Sequence, residues 1–265
     1  MRFSLASFLS ADLRFIPKFT YQSSDYPELK SLRLQYKLDS VAGNGDEFSK
    51  VKNLLFWIHN LVPHDGQHGN PEIKNAASMI AECKRDKRGL NCRGLAMALN
   101  ECYLSMGFKS RYVTCLPKDS LKIDKDCHVI NTVFLNTFKK WIWIDPTYNA
   151  YILDEEGNPL SIAEVRQRII EDKPLAINLE ANYNGKKNVI KEEYLFNYMS
   201  KNLYIMECPV ISQYDTETYK ETKFPERPKI IEYIKLLPLD YFKQYPDKNG
   251  NTYNTNNSDF FWTKP

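Results

Sequence analysis

Residues 89–96 read GLNCRGLA, a loop that turns directly into an apolar helix, and this stretch decides the fold. Asn91 is a favourable N-cap residue, and the apolar spacing after it predicts a helix that runs to Gly107, a residue type that commonly follows helix ends. Cys92 then occupies the first helical position. The aligned peptide dipoles place about half a positive charge there, which lowers the pKa of a thiol and favours the thiolate.

Two more helices are predicted on the N-terminal side of this stretch. From Asp46 onward apolar residues recur at helical spacing until Pro63, which predicts an amphipathic helix. Residues 63–71 contain two glycines and two prolines and are interpreted as a loop, and residues 73–84 return to a helical pattern. The basic run that follows, KRDKR, is interpreted as a solvated segment, with a positive field ahead of the cysteine as the alternative.

Strand patterns follow the cysteine helix. Residues 110–116 (SRYVTCL), 127–135 (CHVINTVFL) and 141–147 (WIWIDPT) are rich in β-branched and aromatic residues and are separated by polar loops. Helices first and an antiparallel sheet afterwards predict an α+β fold.

The order of Cys92, His128 and Asp145 predicts a thiolate–imidazolium nucleophile with an orienting carboxylate. The imidazole would take the thiol proton and later deliver it to the leaving group, while the carboxylate holds the useful tautomer. The strands put both groups on one face in a register such as Leu135 opposite Lys140, which leaves a four-residue hairpin loop. The unpaired N–H groups of the first helical turn can receive the oxyanion of an attacked carbonyl.

Three segments, residues 88–96, 127–134 and 141–147, resemble the motif blocks of the transglutaminase-like superfamily of papain-like cysteine enzymes. The resemblance covers roughly residues 50–150, and three motifs in order are more specific than any one of them. The intervals of 36 residues from position 92 to 128 and 17 from 128 to 145 look like those of its compact microbial members. The resemblance implies a bacterial protein with a papain-like, transglutaminase-like core, in which N-terminal helices pack on an antiparallel β-sheet.

Carried over position by position, the resemblance implies that Cys92 is the nucleophile, His128 the acid/base and Asp145 the orienting acid. It implies a cysteine-dependent hydrolase or acyltransferase that acts on amide bonds of a peptide or protein substrate through a thioester intermediate. It implies no cofactor and no metal. The family analogy favours cleavage over cross-linking.

The chain departs from the family at three points, one of which is Arg93 followed by Gly94 directly after the cysteine. Ile130 stands where many relatives carry an aromatic residue shortly after the histidine, and the side-chain oxyanion donor of relatives has no clear match. Trp57 and Asn60 on the preceding helix are candidates for that donor, although Trp57 fits a core position better.

Two alternatives come from other functional classes. The same fold can serve as a non-catalytic module that holds a peptide or glycan in its groove. A metal protein would use His59, His64, His68 and cysteines, but His64 and His68 fall in the loop at residues 63–71 and are interpreted as ordinary loop histidines.

The patterns divide the chain into an N-terminal wrap at residues 1–50, a transglutaminase-like catalytic core at 51–155 and a helical and β-containing extension at 156–265 that packs on the core. In the extension, the serine and glutamate of a capping box predict a helix over residues 160–170. A second helix is predicted near residues 192–199, and β-like runs at 203–208 and 230–237 predict an extension of the sheet.

Composition excludes several classes of protein. With 265 residues and 43% hydrophobic content the chain can bury a full core, and its net charge of +3 gives no argument for a nucleic-acid partner. Six cysteines without a CxxC pair predict neither a disulfide framework nor a zinc knuckle. No apolar stretch approaches the roughly 20 residues that span a bilayer.

The first nine residues make a poor secretion signal, because Asp12 and Arg14 interrupt the apolar run. The sequence fits a cytoplasmic protein and equally an exported protein whose signal peptide has been removed. It does not indicate an oligomeric state.

Overall fold

The computed structural model describes residues 15–119, 121–123, 125–218, 231–238 and 248–265. The first fourteen residues of the predicted wrap, and parts of the predicted extension, lie outside the described residues. The α-helices are α1 (Pro27–Gln35), α2 (Leu38–Ala42), α3 (Glu47–Leu61), α4 (Ala76–Asp86), α5 (Cys92–Ser105), α6 (Ile162–Ile170), α7 (Ser200–Asn202) and α8 (Ser258–Phe261), and a π-helix spans Glu192–Met199.

The strands are β1 (Thr20–Tyr21), β2 (Ser110–Leu116), β3 (His128–Leu135), β4 (Lys140–Ile144), β5 (Ile152–Leu153), β6 (Ala176–Ile177), β7 (Asn182–Tyr183), β8 (Lys187–Asn188), β9 (Ile205–Pro209), β10 (Ile211–Ser212), β11 (Tyr233–Leu236), β12 (Lys248–Asn249) and β13 (Thr252–Thr255). Within the described residues, seven of them form one sheet in the order β12-β13-β11-β9-β2-β3-β4. The α+β class is therefore confirmed, with helices that precede a large sheet. The predicted core strands β2, β3 and β4 pair antiparallel as expected, whereas in the extension β11 and β13 run parallel, so the complete sheet is mixed.

The main sheet is covered on both faces. Val129, Val133 and Ile142 point into a core shared with α3, α4 and α5. Ile130 and Trp143 point to the opposite face, where the C-terminal part of the chain covers them. The two-residue repeat of strands explains this division, since alternate side chains emerge on opposite faces. All seven residues of β2 are buried, as expected for a central strand with both faces covered.

Helix α5 is the central helix of the first core. It begins at Cys92, because the Asn91 side chain accepts a hydrogen bond from the Gly94 N–H, and it ends before Gly107, which has a φ of +85°. Every residue from Gly94 to Ser105 is buried, which explains its apolar character on all sides. The predicted start and end of this helix are confirmed.

The other predicted helices of the N-terminal half are also present. Helix α3 is capped by Asp46 and ends before Pro63, as predicted. Helix α4 begins at Ala76, three residues later than the pattern indicated, because the Asn75 side chain caps the Ser78 N–H.

The β3–β4 hairpin adopts the predicted register. Leu135 pairs with Lys140, which leaves residues 136–139 as the loop, and Lys139 takes a left-handed φ of 54°. This register orders the strand that begins at His128 against the strand that precedes Asp145.

The C-terminal part of the chain contains the predicted helix with its Ser161–Glu164 capping box, and strands β9 and β11 extend the sheet as predicted. The helix predicted near residues 192–199 is present as a π-helix, a rare form that is frequent at functional sites. Among the described residues, no helix combines the length and the apolarity needed to cross a membrane.

Candidate active site

The position of Cys92 is fixed by the backbone on both sides of it. The Leu90 N–H donates to Pro63 O at 3.1 Å, and the Asp65 N–H donates to Leu90 O at 2.7 Å, so the loop at residues 63–65 pairs with the segment before the cysteine. Gly89 permits this approach, because a Cβ at that position would lie 2.3 Å from Pro63 O. The loop therefore lies alongside the start of α5.

A second loop contact is made through Asn70. Its Oδ1 accepts from the Asn91 N–H at 3.0 Å, and its Nδ2 donates to Asn91 Oδ1 at 2.7 Å. A Cβ at position 94 would lie 2.5 Å from Asn70 Oδ1, which explains the glycine at that helical position. These hydrogen bonds hold the loop against the N-terminus of α5, next to Cys92.

His128 and Asp145 form a buried, hydrogen-bonded pair. His128 Nε2 lies 2.7 Å from Asp145 Oδ2, and the two residues are 1% and 0% exposed. Because Nε2 faces the carboxylate, Nδ1 is the ring nitrogen left for the thiol of Cys92, which lies beside this ring.

Asp145 is held by donors from two parts of the chain. The Thr147 N–H donates to Oδ1 at 2.9 Å, and the Tyr148 N–H makes a longer contact to the same oxygen at 3.4 Å. The Tyr194 hydroxyl, on the π-helix, donates to Oδ2 at 2.6 Å and itself accepts from Trp143 Nε1 at 3.3 Å. These donors hold the Asp145 carboxylate in place beside His128, and this carboxylate raises the pKa of the imidazole.

The thiol of Cys92 is half-buried and lies beside the imidazoles of His128 and His64. Burial acts to raise the pKa of this thiol, but the two imidazoles outweigh burial and lower the pKa from 9.0 to about 6. Burial acts to lower the pKa of His128, yet the Asp145 carboxylate and the Cys92 thiol raise this pKa from 6.5 to about 10. At neutral pH the arrangement therefore favours the thiolate and the imidazolium together.

Four tyrosines, which we call the tyrosine arc, surround the two imidazoles: Tyr148, Tyr183, Tyr194 and Tyr198. The ring of His128 lies 5.7 Å from that of Tyr148 and 5.3 Å from that of Tyr198. The rings of Tyr148 and Tyr183 are 5.7 Å apart, and Tyr183 in turn lies 5.5 Å from His64. The arc thus supplies an aromatic wall that runs from one imidazole to the other.

Arg93, directly after the cysteine, ties the helix start to the C-terminal part of the chain. Its Nη2 lies 2.6 Å from Glu217 Oε1, and the Tyr112 hydroxyl donates to the same oxygen at 2.8 Å. Burial acts to raise the pKa of Glu217, but the Arg93 guanidinium holds this pKa below its usual value. The ion pair holds the first turn of α5 against the C-terminal part of the chain.

The three residues predicted to form the site are thus brought together, while the two predicted oxyanion donors have other contacts. Trp57 packs in the helical core, with its ring 5.5 Å from that of Tyr36. Asn60 donates its amide back to Phe56 O at 2.8 Å.

The histidines proposed for a metal protein have separate partners. His59 contacts Pro146 O and Asn182 Oδ1, each at 2.9 Å, and His68 lies 2.7 Å from Asp65. Within the described part of the chain, no group of three or more histidine, cysteine, aspartate or glutamate residues is arranged to hold a metal ion. All six cysteines are free.

Sequence reasoning missed Tyr194 and the role of His64 as a neighbour of the thiol. Tyr194 lies 49 residues beyond Asp145, and no local pattern links a tyrosine at that distance to a carboxylate. His64 was interpreted as an ordinary loop histidine. Gly89 and Gly94 lie on either side of the cysteine and leave room for the loop that carries His64. They are the one signal in the sequence that indicates how closely this loop approaches Cys92.

A comparison with protein families gives a match in the same part of the chain as the three motifs. Residues 35–146 match the model of the transglutaminase-like superfamily. This match confirms the resemblance inferred from the motifs.

Solved structures give partial matches. A candidate cysteine protease from Cytophaga hutchinsonii is 19% identical, with 44% of this chain and 37% of that chain covered and a TM-score of 0.33. LapG from Legionella pneumophila, in an EGTA-treated form, is 9% identical, with 51% of this chain and 74% of that chain covered and a TM-score of 0.32. A candidate protease from Parabacteroides distasonis is 17% identical, with 51% of this chain and 31% of that chain covered and a TM-score of 0.28. The chain thus matches only a little over a third of the length of the Cytophaga protein, and no curated protein matches the sequence.

Proposed function

We propose that this protein is a cysteine-dependent hydrolase or acyltransferase that acts on amide bonds of a peptide or protein substrate. Cys92 is the nucleophile, His128 the acid/base and Asp145 the orienting carboxylate. The observation that carries the proposal is the buried hydrogen bond between His128 Nε2 and Asp145 Oδ2, with the half-buried Cys92 beside this imidazole at the start of α5.

The chemistry follows from this geometry. The Cys92 thiolate attacks the amide carbonyl carbon, a carbon–sulfur bond forms, and the carbonyl π electrons move onto oxygen. The N–H of Cys92 is a backbone donor for this oxyanion, because the Asn91 cap occupies the N–H of Gly94 and the first helical turn has no internal acceptor for its own N–H groups.

Collapse of the tetrahedral intermediate breaks the carbon–nitrogen bond. The His128 imidazolium gives its proton to the leaving amine, and the acyl group remains on Cys92 as a thioester. Water or an acceptor amine then attacks the thioester, His128 takes a proton from it, and the thiolate leaves again. Asp145, with its donors from Thr147 and Tyr194, keeps the imidazole ring aligned in both halves of the cycle.

Selective alkylation tests the nucleophile. Burial raises the pKa values of the thiols of Cys83, Cys102, Cys115 and Cys208, whereas that of Cys92 is lowered to about 6. At pH 6.5, one equivalent of iodoacetamide is therefore expected to label Cys92 first, as read by intact mass and peptide mapping.

The matched variants are Cys92→Ala and Cys127→Ala, since Cys127 is also half-buried and precedes the histidine. The first should abolish both the fast labelling and the turnover of p-nitrophenyl acetate, a simple acyl donor, while the second should leave both in place. A Cys92 thiol that titrates near the ordinary pKa of about 8.5 would instead favour the binding-module alternative.

A further inference from the structure

His64 is the second histidine beside the thiol of Cys92, and contacts with Leu90, Asn184 and Tyr183 hold it in position. Its backbone pairs with Leu90 as an isolated β-bridge, directly before the cysteine segment. Its N–H donates to Asn184 Oδ1 at 2.7 Å, and its carbonyl accepts from Asn184 Nδ2 at 3.0 Å. The amide of one asparagine thus holds both backbone groups of this residue.

The ring of His64 is held as firmly as its backbone. Nδ1 lies 2.9 Å from the Tyr183 hydroxyl, and the two rings meet edge to face at 5.5 Å. Tyr183 belongs to the β7–β8 hairpin, which is tied to the helical layer by the contact between Asn182 Oδ1 and His59 Nε2. With Nδ1 engaged, Nε2 is the nitrogen of His64 that remains for the cysteine.

The partners of the two imidazoles assign them different roles. His128 is backed by a buried carboxylate, which makes it a strong base, whereas His64 is backed by a neutral phenol. The Tyr183 hydroxyl lies 2.9 Å from Nδ1 of His64 and can donate to it. In the tautomer that accepts this hydrogen bond, the ring proton of His64 is on Nε2, which makes Nε2 a hydrogen-bond donor.

We propose that His64 is the side-chain oxyanion donor: its Nε2–H, oriented by Tyr183, hydrogen-bonds the carbonyl oxygen that becomes negative when Cys92 attacks. This inference rests on the proposed function and names the donor that Trp57 and Asn60 do not supply. His64 and Cys92 are both half-buried, so neither residue is sealed from solvent. Together with the Cys92 N–H it provides two donors from separate elements, the loop and the helix start.

Two electrophiles separate this role from simple support of the thiolate. Acylation by p-nitrophenyl acetate passes through a tetrahedral oxyanion: the carbon–sulfur bond forms, and p-nitrophenolate then leaves with the electron pair of the ester bond. Alkylation by iodoacetamide forms a carbon–sulfur bond as iodide leaves, with no oxyanion. We expect His64→Ala to slow acylation by about 100-fold to 1000-fold, as for loss of one oxyanion donor, and alkylation by less than about fivefold, since only one thiolate contact is lost.

Three variants sharpen the test. His64→Gln restores an N–H donor, so acylation should recover to within about tenfold of the wild-type rate. Tyr183→Phe leaves the His64 ring but frees its tautomer, so acylation should fall several-fold with little change in alkylation. His68→Ala is the matched control, because His68 is an exposed histidine of the same loop, and it should change neither rate.

Equal slowing of both reactions by His64→Ala would overturn the assignment, as would acylation that His64→Ala leaves unchanged. Near-UV circular dichroism shows whether His64→Ala folds. If it does not fold, the ratio of the acylation rate to the alkylation rate in His64→Gln and Tyr183→Phe tests the assignment of His64 instead. The proposed function fails separately: if Cys92→Ala retains the acylation of the wild-type chain, the nucleophile is wrong and both proposals fall. If Cys92→Ala abolishes acylation and His64→Ala does not slow it, only the assignment of His64 is wrong.

Discussion

The carboxylate end and the thiol end of the candidate site are built in different ways. Asp145 is fully buried and accepts hydrogen bonds from its own turn and from Tyr194 on the π-helix. Cys92 is half-buried, and it is positioned by backbone pairing with a loop and by the two imidazoles. The carboxylate end, which we call the buried end, is enclosed, whereas the thiol end, which we call the open end, remains partly exposed.

The difference shows how a single site meets two demands. A buried carboxylate acts strongly on an adjacent imidazole, because the low dielectric of the interior leaves the charge unscreened. A nucleophile must remain accessible, so it cannot be stabilised by complete burial. The lower pKa of Cys92 therefore comes from donors, His128 and His64, and from the helix N-terminus. We expect substitutions at the buried end to slow acylation most, and substitutions at the open end to slow it less.

The largest effect is expected from Asp145→Asn. The amide would replace one carboxylate oxygen by a donor, so either Thr147 or both Tyr194 and His128 would lose their acceptor. In either orientation His128 would lose its charged partner. We expect the acylation rate with p-nitrophenyl acetate to fall by about 1000-fold to 10,000-fold. Asp126→Asn is the matched control, since Asp126 forms an exposed ion pair with Lys201. An acylation rate within tenfold of wild type in Asp145→Asn would show that the buried end does not control the thiol.

The pH dependence tests the thiol end directly. The pKa of Cys92 is lowered to about 6, so the reactive thiolate forms as the pH rises through that value and is lost as the pH falls below it. Alkylation by iodoacetamide should be about 100-fold slower at pH 4 than at pH 8, with the slow labelling of Cys92→Ala subtracted. Asp145→Asn should move the midpoint upward. A wild-type midpoint near 8.5, the ordinary thiol value, would contradict the ion pair.

How far the sequence predicts this molecule depends on the range of each signal. The start of α5 at Cys92 follows from the Asn91 cap next to it, and the β3–β4 register follows from a short hairpin loop. These are local signals, which single residues and two-residue periodicity carry. They sufficed to predict the fold class and to bring the thiol, the imidazole and the carboxylate together.

The remaining features depend on contacts between distant segments. Tyr183 reaches His64 across 119 residues, and Arg93 meets Glu217 across 124. Neither contact has a spacing that a sequence pattern can express. The parallel pairing of β11 with β13 was missed for the same reason, because strand direction depends on the route of the intervening chain.

Tyr194→Phe tests whether the C-terminal part of the chain contributes to the buried end. The change removes one hydroxyl, which donates to Asp145 and accepts from Trp143, and leaves the ring in place. We expect roughly tenfold slower acylation, or about 1.4 kcal/mol in the barrier, and a lower free energy of unfolding, since Trp143 Nε1 loses its acceptor. Tyr151→Phe, at a buried tyrosine of the helical core, is the control for loss of a hydroxyl. Equal acylation rates in the two variants would limit the role of Tyr194 to packing.

The smallest effect is expected at the open end, from Gly94→Ala. The new Cβ would lie 2.5 Å from Asn70 Oδ1, so Asn70 must move away from Asn91 and the loop at residues 63–71 must shift with it. Alanine favours a helix by about 1 kcal/mol over glycine, which offsets part of this cost. We therefore expect a loss of about 1 kcal/mol in the free energy of unfolding, within the range for overpacking, and a few-fold slower acylation.

The background of Asn70→Ala reverses the sign of that effect. With the Asn70 amide gone, the Cβ at position 94 meets no close atom of that side chain, and only the helical preference of alanine remains. Gly94→Ala should therefore stabilise the Asn70→Ala variant while it destabilises the wild-type chain, as measured by urea unfolding of all four proteins. The same change in free energy in both backgrounds would mean that Asn70 does not hold the loop against the helix, and the graded behaviour expected of the open end would lose its structural basis.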